Sequence, residues 1–485
     1  LVLMVSVYAL CRYWERSIPA ALCASLTALL GGYFLSLASL YNQFQSAIWL
    51  PLIFLLWQKF MLEGGLKYFC GAVVFLAFQI LGGGPEHAIF SVLLIYTHSL
   101  YLVKDRGFKQ KTLAVLALSL SALALSAVQW VPTYHFLQEL TRSDGLNYAS
   151  STRYSLMPGA VLDLFLPENF TRFLEQVREQ LDYMDYFVHS FYMGIVPLFV
   201  LLGCLLVGRE QKVIRFWLVV FGAGVFFALG KFNPLYSLFH EWVPLFGLFR
   251  YPQKFFFFCA YALVFLSAWG IDRFVTVVTH EKAATKKLLF ALLATALIVA
   301  GVFWAHTNRA GFESLMILLL LALAIFALYL KKINGFFSLL LLLMVMDLMG
   351  KNAMLIPLID REFYTDPPPL AKRLGGTADS FRVYNGMLME KMVKKKFSSI
   401  PVIVRSKRPS DLYNILDIQL ATRDQVYPNL GAIYDLAYVG GSATMKMKSS
   451  LVWYESFLSS DIPTKKRILQ RSNVKYWVTE DYEQL

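Results

Sequence analysis

The sequence predicts an α-helical polytopic membrane protein that carries a small soluble domain at its C-terminal end. Three observations support this fold class. The chain is 57% hydrophobic and only 16% charged, long apolar stretches follow one another up to about residue 350, and Lys and Arg occur in alternate loops between them. This composition excludes a soluble domain with a mixed charged surface.

The apolar stretches define the predicted membrane spans. A bilayer core requires about 20 mostly apolar residues per helix. Eleven such stretches and an incomplete one at the start predict twelve segments, at residues 1–9, 18–37, 47–61, 68–81, 85–103, 113–132, 191–207, 213–230, 255–271, 288–306, 315–330 and 336–349.

The basic residues fix the predicted orientation. Seventeen Lys and Arg lie in alternate loops, at 12–16, 59–67, 104–111, 209–215, 273–287 and 331–332. Three short loops, at 41–45, 82–85 and 307–313, would lie on the opposite side of the membrane. Together they contain a single basic residue, Arg309. Because cytoplasmic loops are enriched in Lys and Arg, the first set is predicted to be cytoplasmic. The location would be a bacterial cytoplasmic (inner) membrane, crossed many times.

This orientation has consequences for both ends of the chain. Residue 1 would lie outside in a stretch too short to cross, so we expect at least one further helix and an outer loop upstream. Residues 351–485 would form an extracytoplasmic α/β or α+β domain, which we expect to be incomplete. Period-two and helical patterns there predict strands at 380–384 and 474–479 and helices at 451–458 and 465–470.

The orientation is tested by labelling single introduced cysteines with a membrane-impermeant thiol reagent in intact cells. We expect cysteines in the 104–111 and 209–215 loops to be shielded, and a cysteine in the 351–485 domain to react. Labelling of either inner loop in unbroken cells would overturn the orientation.

Two outer loops contain the first group of candidate site residues. Residues 134–189 include eight acids, and residues 231–254 are rich in aromatic residues and proline. At the end of the second loop, Pro252 suits the first turn of a helix whose positive N-terminal end would face the outer surface. Arg250, Tyr251 and Lys254 would then form a binding corner for a lipid-linked phosphate. Alternatively, the two cations extend to lipid headgroups or pair with acids of the neighbouring loop.

The segment Gly82-Gly83-Gly84-Pro85-Glu86-His87 places an acid and a histidine in the first turn of an outer helix end. Three glycines would let a substrate approach the backbone, with Glu86 as a base or hydroxyl ligand and His87 as a binding residue. Alternatively, Glu86 is there because an acid at a helix N-terminus is electrostatically favourable.

Further acids lie next to or within predicted spans. Asp163 and Glu168 stand among large apolar residues and are candidate catalytic acids, or else they belong to the solvated face of an interfacial helix. Asp347 lies deep in the last span, where an acid suggests either function or pairing with a basic residue.

Other chemical signatures are absent or weak in the sequence. The five cysteines have no metal-ligand spacing, and no phosphate-binding glycine loop follows a strand, so neither a zinc site nor a nucleotide is expected. No pattern for nucleic acid occurs. A metal cluster among the scattered histidines has little support.

An ordered set of segments resembles the bacterial YfhO-type membrane proteins. The segments are GGGPEHAIF, VQWVPTYHFLQE, SLMPGAVLDLFLPENF, YMGIVPLFVLLG, LGKFNPLYSLFHEWVPLFGLFRYPQKFFFF, VYPNLGAIYDLAYVGG and NVKYWVT. One departure is that Gly84 stands before Pro85 where the family usually has histidine.

The resemblance implies a GT-C-like transmembrane bundle, here of about 12 helices, and glycosyltransferase activity. Such an enzyme takes a sugar from a polyprenyl-phosphate carrier in the lipid membrane and attaches it to a cell-envelope glycan or polymer. A divalent cation is compatible with this chemistry. The catalytic acid of GT-C enzymes typically lies in the first outer loop, which would be upstream of residue 1. The alternatives are a transporter or lipid flippase, and a non-catalytic scaffold for envelope assembly.

Overall fold

The computed structural model describes residues 1–140, 147–164, 187–209, 211–243, 246, 249–306, 321–322, 325, 332–355, 360–375, 381–385, 423–424, 426, 430–440 and 447–478. The chain divides into two compact units. The first comprises Leu1–Val131 and Leu146–Ile356, and the second comprises Pro132–Gly145 and Pro357–Leu485.

The described residues of the first unit form helices joined by turns and loops, with no strand among them. Its helices are α1 (Val2–Tyr13), α2 (Ile18–Leu30), α3 (Gly32–Leu37), α4 (Tyr41–Ala47), α5 (Leu50–Glu63), α6 (Leu66–Leu81), α7 (Pro85–Leu102), α8 (Phe108–Leu125), α9 (Ala127–Leu137, whose last residues belong to the second unit), α10 (Tyr148–Ser151), α11 (Ile195–Gly203), α12 (Lys212–Ala228), α13 (Tyr236–Trp242), α14 (Phe256–His280), α15 (Lys282–His306) and α16 (Ile333–Asn352).

Among the described residues, five helical segments are long and apolar enough to cross a membrane. They are Ile18–Leu37, Tyr41–Glu63, Phe108–Leu125, Pro252–His280 and Ile333–Asn352, and shorter apolar helices occur at Val2–Tyr13, Leu66–Leu81 and Ile195–Gly208. The fold class of a helical membrane protein is therefore confirmed at this coarse level. The number of crossings and their sides stay predictions.

Several predicted spans have different ends or contain breaks. The span predicted at 18–37 bends at Gly31, whose ψ of 135° separates α2 from α3. The span predicted at 113–132 begins earlier, at Phe108, and is interrupted at Ser126. A run of five residues in a π-helix, Cys204–Gly208, ends the segment that begins with α11. Hydropathy does not register such breaks because apolar residues continue through them. The span predicted at 315–330 lies almost wholly outside the described residues.

Helix α14 forms the centre of the first unit. It is buried along most of its length and packs against α2, α11, α12 and α15. Glycines allow these close approaches: a Cβ on Gly224 of α12 would lie 2.6 Å from Cys259 Sγ, and one on Gly270 would lie 2.5 Å from Val200 Cγ1. Small residues at crossings are how membrane helices gain packing contacts.

Asp347 has a structural role. Its side chain is almost fully buried, and one carboxylate oxygen accepts a hydrogen bond from Ile195 N at 2.8 Å while the other accepts one from the Tyr192 hydroxyl. Ile195 is the first residue of α11, so Asp347 satisfies a free N–H at that helix N-terminus. The acid is therefore held by a tyrosine and a helix end.

We expect Asp347→Ala to destabilise the protein by about 2–4 kcal/mol, because two buried donors lose their acceptor. Asp347→Asn should cost less, since the amide oxygen can still accept one bond. Thermal unfolding of the detergent-solubilised chain measures both changes, with the half-exposed Met346→Ala as control. An alanine variant of normal stability but altered function would contradict the structural role.

The second unit contains a small parallel sheet. Strands β1 (Arg382–Asn385) and β2 (Val474–Val478) pair with Val383 opposite Tyr476. The remaining helices are α17 (Glu362–Thr365), α18 (Pro369–Leu374), α19 (Lys448–Ser459) and α20 (Ile462–Arg471). The two strands and two helices predicted from sequence in this region are present. The location of this unit outside the membrane stays a prediction.

Two further features hold the second unit together. Residues 132–140 belong to this unit through an isolated antiparallel β-bridge between Leu140 and Met447. In addition, Lys448 N donates a hydrogen bond to Glu139 O at 2.9 Å. Asp461 caps α20 by accepting from Thr464 N at 3.1 Å. Hydrogen bonds from Thr464 lower the pKa of this exposed carboxyl, so the cap is charged at neutral pH.

Candidate functional site

Three segments between helices are joined by hydrogen bonds at the N-terminal end of α14. Tyr251 N donates to Ser151 O at 3.0 Å, and Gln253 N donates to Tyr154 O at 3.2 Å. The buried side chain of Gln253 accepts from Phe187 N at 2.9 Å and from Val188 N at 3.3 Å. These bonds fix the segments around residues 151–154, 187–188 and 251–253 as one platform, which we call the loop platform.

Two tyrosines of the loop platform have unusual backbone conformations. Tyr154 has φ +59° and Tyr251 has φ +70°, and their rings meet edge to face with centroids 4.5 Å apart. A non-glycine residue in this region costs about 1–3 kcal/mol and persists only where surrounding contacts impose it. Such strain is concentrated at functional sites, which makes the loop platform the candidate site of the first unit.

The start of α14 differs from the predicted helix end. Pro252–Phe255 form a 3₁₀ turn, and all four residues are buried. The start of this helix is therefore buried within the protein, whereas the sequence analysis expected it to be exposed. The aromatic residues after Pro252 pack into the core, where the ring centroids of Phe255 and Phe90 lie 5.0 Å apart. This packing buries the turn.

Lys254 and Glu86 form an ion pair that joins two of the segments singled out from sequence. The Lys254 ammonium donates to Glu86 Oε1, and only 8% of the lysine side chain and 19% of the glutamate side chain are exposed. The lysine thus pairs with an acid, but the acid comes from α7 and not from the neighbouring loop. Glu86 lies in the first turn of α7, where its charge also suits the helix dipole.

Aromatic rings surround the two cations of the site. The Lys254 Nζ lies 5.4 Å from the ring centroid of Phe187 and 5.7 Å from that of Tyr251. The Arg250 guanidinium lies over the same Tyr251 ring at 4.4 Å. Tyr251 therefore lies against both cations.

Two of the three glycines before Pro85, Gly82 and Gly84, have a packing role. A Cβ on Gly82 would lie 2.6 Å from Ser46 Oγ, and one on Gly84 would lie 2.9 Å from it. Ser46 Oγ in addition accepts from Gly84 N at 2.8 Å. Ser46 of α4 therefore occupies the space that the sequence analysis left for a substrate. The close approach of α4 to this turn explains the small residues there.

His87 lies behind the ion pair. Only 1% of the residue is exposed, and the ring stands edge-on to that of Phe257, with the centroids 5.2 Å apart. A ligand can reach this ring only if the surrounding side chains move. Its expected role in substrate binding stays a prediction.

The remaining candidate acids are only partly located. Asp163 belongs to a 3₁₀ segment, Pro158–Leu164, but its side chain lies outside the described residues. Glu168 lies outside them altogether. Their expected catalytic roles stay predictions.

Other site residues were not identified individually from sequence. Gln253 belongs to the RYPQKF segment, in which Tyr251 was named, whereas Ser46, Tyr154 and Phe187 had no local signal. Nearby, Tyr148 and the buried Tyr236 have raised pKa values, chiefly through desolvation, so both phenols are protonated at neutral pH.

Within the described ranges, no group of three or more His, Cys, Asp and Glu is placed to hold a metal ion.

Comparisons with known proteins give no further identification. No model of a protein family matches the chain, and neither a curated protein nor a solved structure is significantly similar to it.

Proposed function

We propose that the chain is a membrane glycosyltransferase that moves a sugar from a polyprenyl-phosphate carrier to a cell-envelope acceptor on the outer face. The observation that supports this most is the pairing of Glu86 with Lys254, next to Arg250 and the strained Tyr251. An acid paired with one of two cations that lie against the same tyrosine ring supplies the kinds of group that such a transfer requires. The resemblance to YfhO-type proteins of the GT-C class agrees with this proposal.

The reaction assigns a separate task to each charge. Glu86 accepts the proton of the acceptor hydroxyl, whose oxygen forms a bond to the anomeric carbon of the sugar. The bond from that carbon to the carrier phosphate breaks, and its electron pair leaves with the phosphate oxygen. Arg250 and Lys254 stabilise the negative charge that develops there. The products are the glycosylated acceptor and the free polyprenyl phosphate.

The aromatic rings around these charges strengthen their electrostatic interactions relative to those in water. Electrostatic interactions strengthen where water is excluded, and Lys254 is almost fully buried between rings. Arginine is suited to the phosphate because its planar fork makes two parallel bonds to it. The site would bind the carrier phosphate at the membrane boundary while the lipid tail stays in the bilayer.

The proposal is tested by reconstituting the chain in liposomes with a panel of polyprenyl-phosphate monosaccharides and isolated cell-envelope polymer. We expect polyprenyl phosphate to be released only when both protein and polymer are present. A transporter or flippase would move the donor between leaflets and leave it chemically intact. If the donor stays intact with every sugar of the panel and the protein moves it across the bilayer, the transport alternative replaces the proposal.

A further inference from the structure

The Glu86 carboxylate occupies one side of Lys254. The rings of Phe187 and Tyr251 also lie close to this ammonium, and they contribute no full negative charge. A buried charge requires a partner, because an unpaired ammonium loses its hydration without compensation. A carboxylate and a phosphate oxygen are both anionic acceptors for the same charge-assisted bond. Glu86 therefore holds the position that an incoming phosphate group would need.

We propose that Glu86 is an exchangeable occupant of an anion site, which a phosphate group displaces from Lys254. This inference rests on the proposed function, since it assigns the order of events at the same site. The phosphate of the carrier pairs with Lys254, and the carboxylate released by this exchange becomes available to the acceptor hydroxyl. Without donor, the base is neutralised by the lysine. Activation of the acceptor thus follows donor binding.

One feature of the surroundings supports an exchange. Tyr251, which contacts Lys254, has a strained backbone at φ +70° that a rearrangement can relax. The paired state therefore holds backbone strain that the exchanged state can release.

The exchange is tested by calorimetric titration of the full detergent-solubilised chain with a phosphate probe. Inorganic pyrophosphate is used in one arm and a short-chain polyprenyl phosphate in the other. We expect Glu86→Gln to tighten binding about tenfold, because the competing carboxylate is gone, and Lys254→Met to weaken it about tenfold. The double variant should bind like Lys254→Met, since Glu86 acts only through the lysine.

Another ion pair of the first unit provides the control. Arg273 Nη1 and Glu281 Oε1 lie 2.5 Å apart. The variant Glu281→Gln should leave phosphate binding unchanged. Glu86→Asp, with a shorter carboxylate, should tighten binding less than Glu86→Gln and serves if the glutamine variant fails to fold. Tightening in the lipid arm alone identifies a carrier headgroup, and tightening in both arms identifies any phosphate group.

An unchanged or weaker affinity in a glutamine variant of normal thermal stability would overturn the exchange, as would equal affinities of the aspartate variant and the unaltered chain. The titration does not depend on sugar transfer. A chain that shows the expected affinities but transfers no sugar would refute the proposed function alone, whereas transfer without the affinity pattern would refute the exchange alone.

Discussion

Replacement of Glu86 by glutamine is expected to lower the rate of sugar transfer at saturating donor by about 10²–10⁴-fold, the usual contribution of a positioned general base. The amide cannot accept the proton of the acceptor hydroxyl, although it nearly matches the carboxylate in size. The KM for donor should not rise, because the variant also removes the competitor for Lys254. Initial rates over a range of donor concentrations separate the two parameters.

Glu281→Gln is the matched control for this measurement, since it removes the acid of another ion pair in the same unit. Its transfer rate should equal that of the unaltered chain. A Glu86→Gln variant with normal kcat would show that another group accepts the proton, and would remove Glu86 from the mechanism.

Replacement of Arg250 by alanine is expected to weaken donor use by about 10- to 150-fold, which corresponds to about 1.5–3 kcal/mol for a charge-assisted contact to phosphate. Arg250→Lys should recover only part of the loss because lysine lacks the planar fork. The guanidinium lies over the Tyr251 ring, so alanine also removes a cation–π contact. Donor saturation curves and thermal unfolding of both variants measure the two effects separately.

The alternative role of Arg250 makes a different prediction. An arginine that only extends to lipid headgroups could be replaced by lysine at little cost, and its loss would change stability more than donor use. An unchanged donor response in a well-folded alanine variant would exclude Arg250 from the phosphate site.

The sequence contained enough information for the helical class and for two segments of the candidate site, residues 82–87 and 250–254. Apolar length predicts helices such as Pro252–His280 and Ile333–Asn352 because the requirement of the bilayer acts on each segment separately. Local signals also indicated Glu86 and Lys254, each at the start of a helix. Their pairing across 168 positions could not be predicted, because it depends on how α7 packs against α14.

Two errors have related physical causes. The glycine turn at 82–84 was expected to leave room for a substrate, but small residues equally allow another helix to approach, and Ser46 of α4 does so. The turn after Pro252 was expected to present a helix end outward, but the phenylalanines that follow are drawn into the core. In both cases a local signal was correct, and its tertiary consequence depended on residues distant in sequence.

The central claim is that Glu86, Arg250 and Lys254 serve a chemical transfer rather than the movement of a lipid. The most direct test is to incubate the detergent-solubilised chain with radiolabelled polyprenyl-phosphate sugar and cell-envelope polymer, in the absence of any bilayer. Our account predicts covalently labelled polymer, one polyprenyl phosphate released for each sugar transferred, and loss of both in Glu86→Gln. Donor that binds to the folded chain but yields no labelled polymer with any of the tested sugars would contradict it.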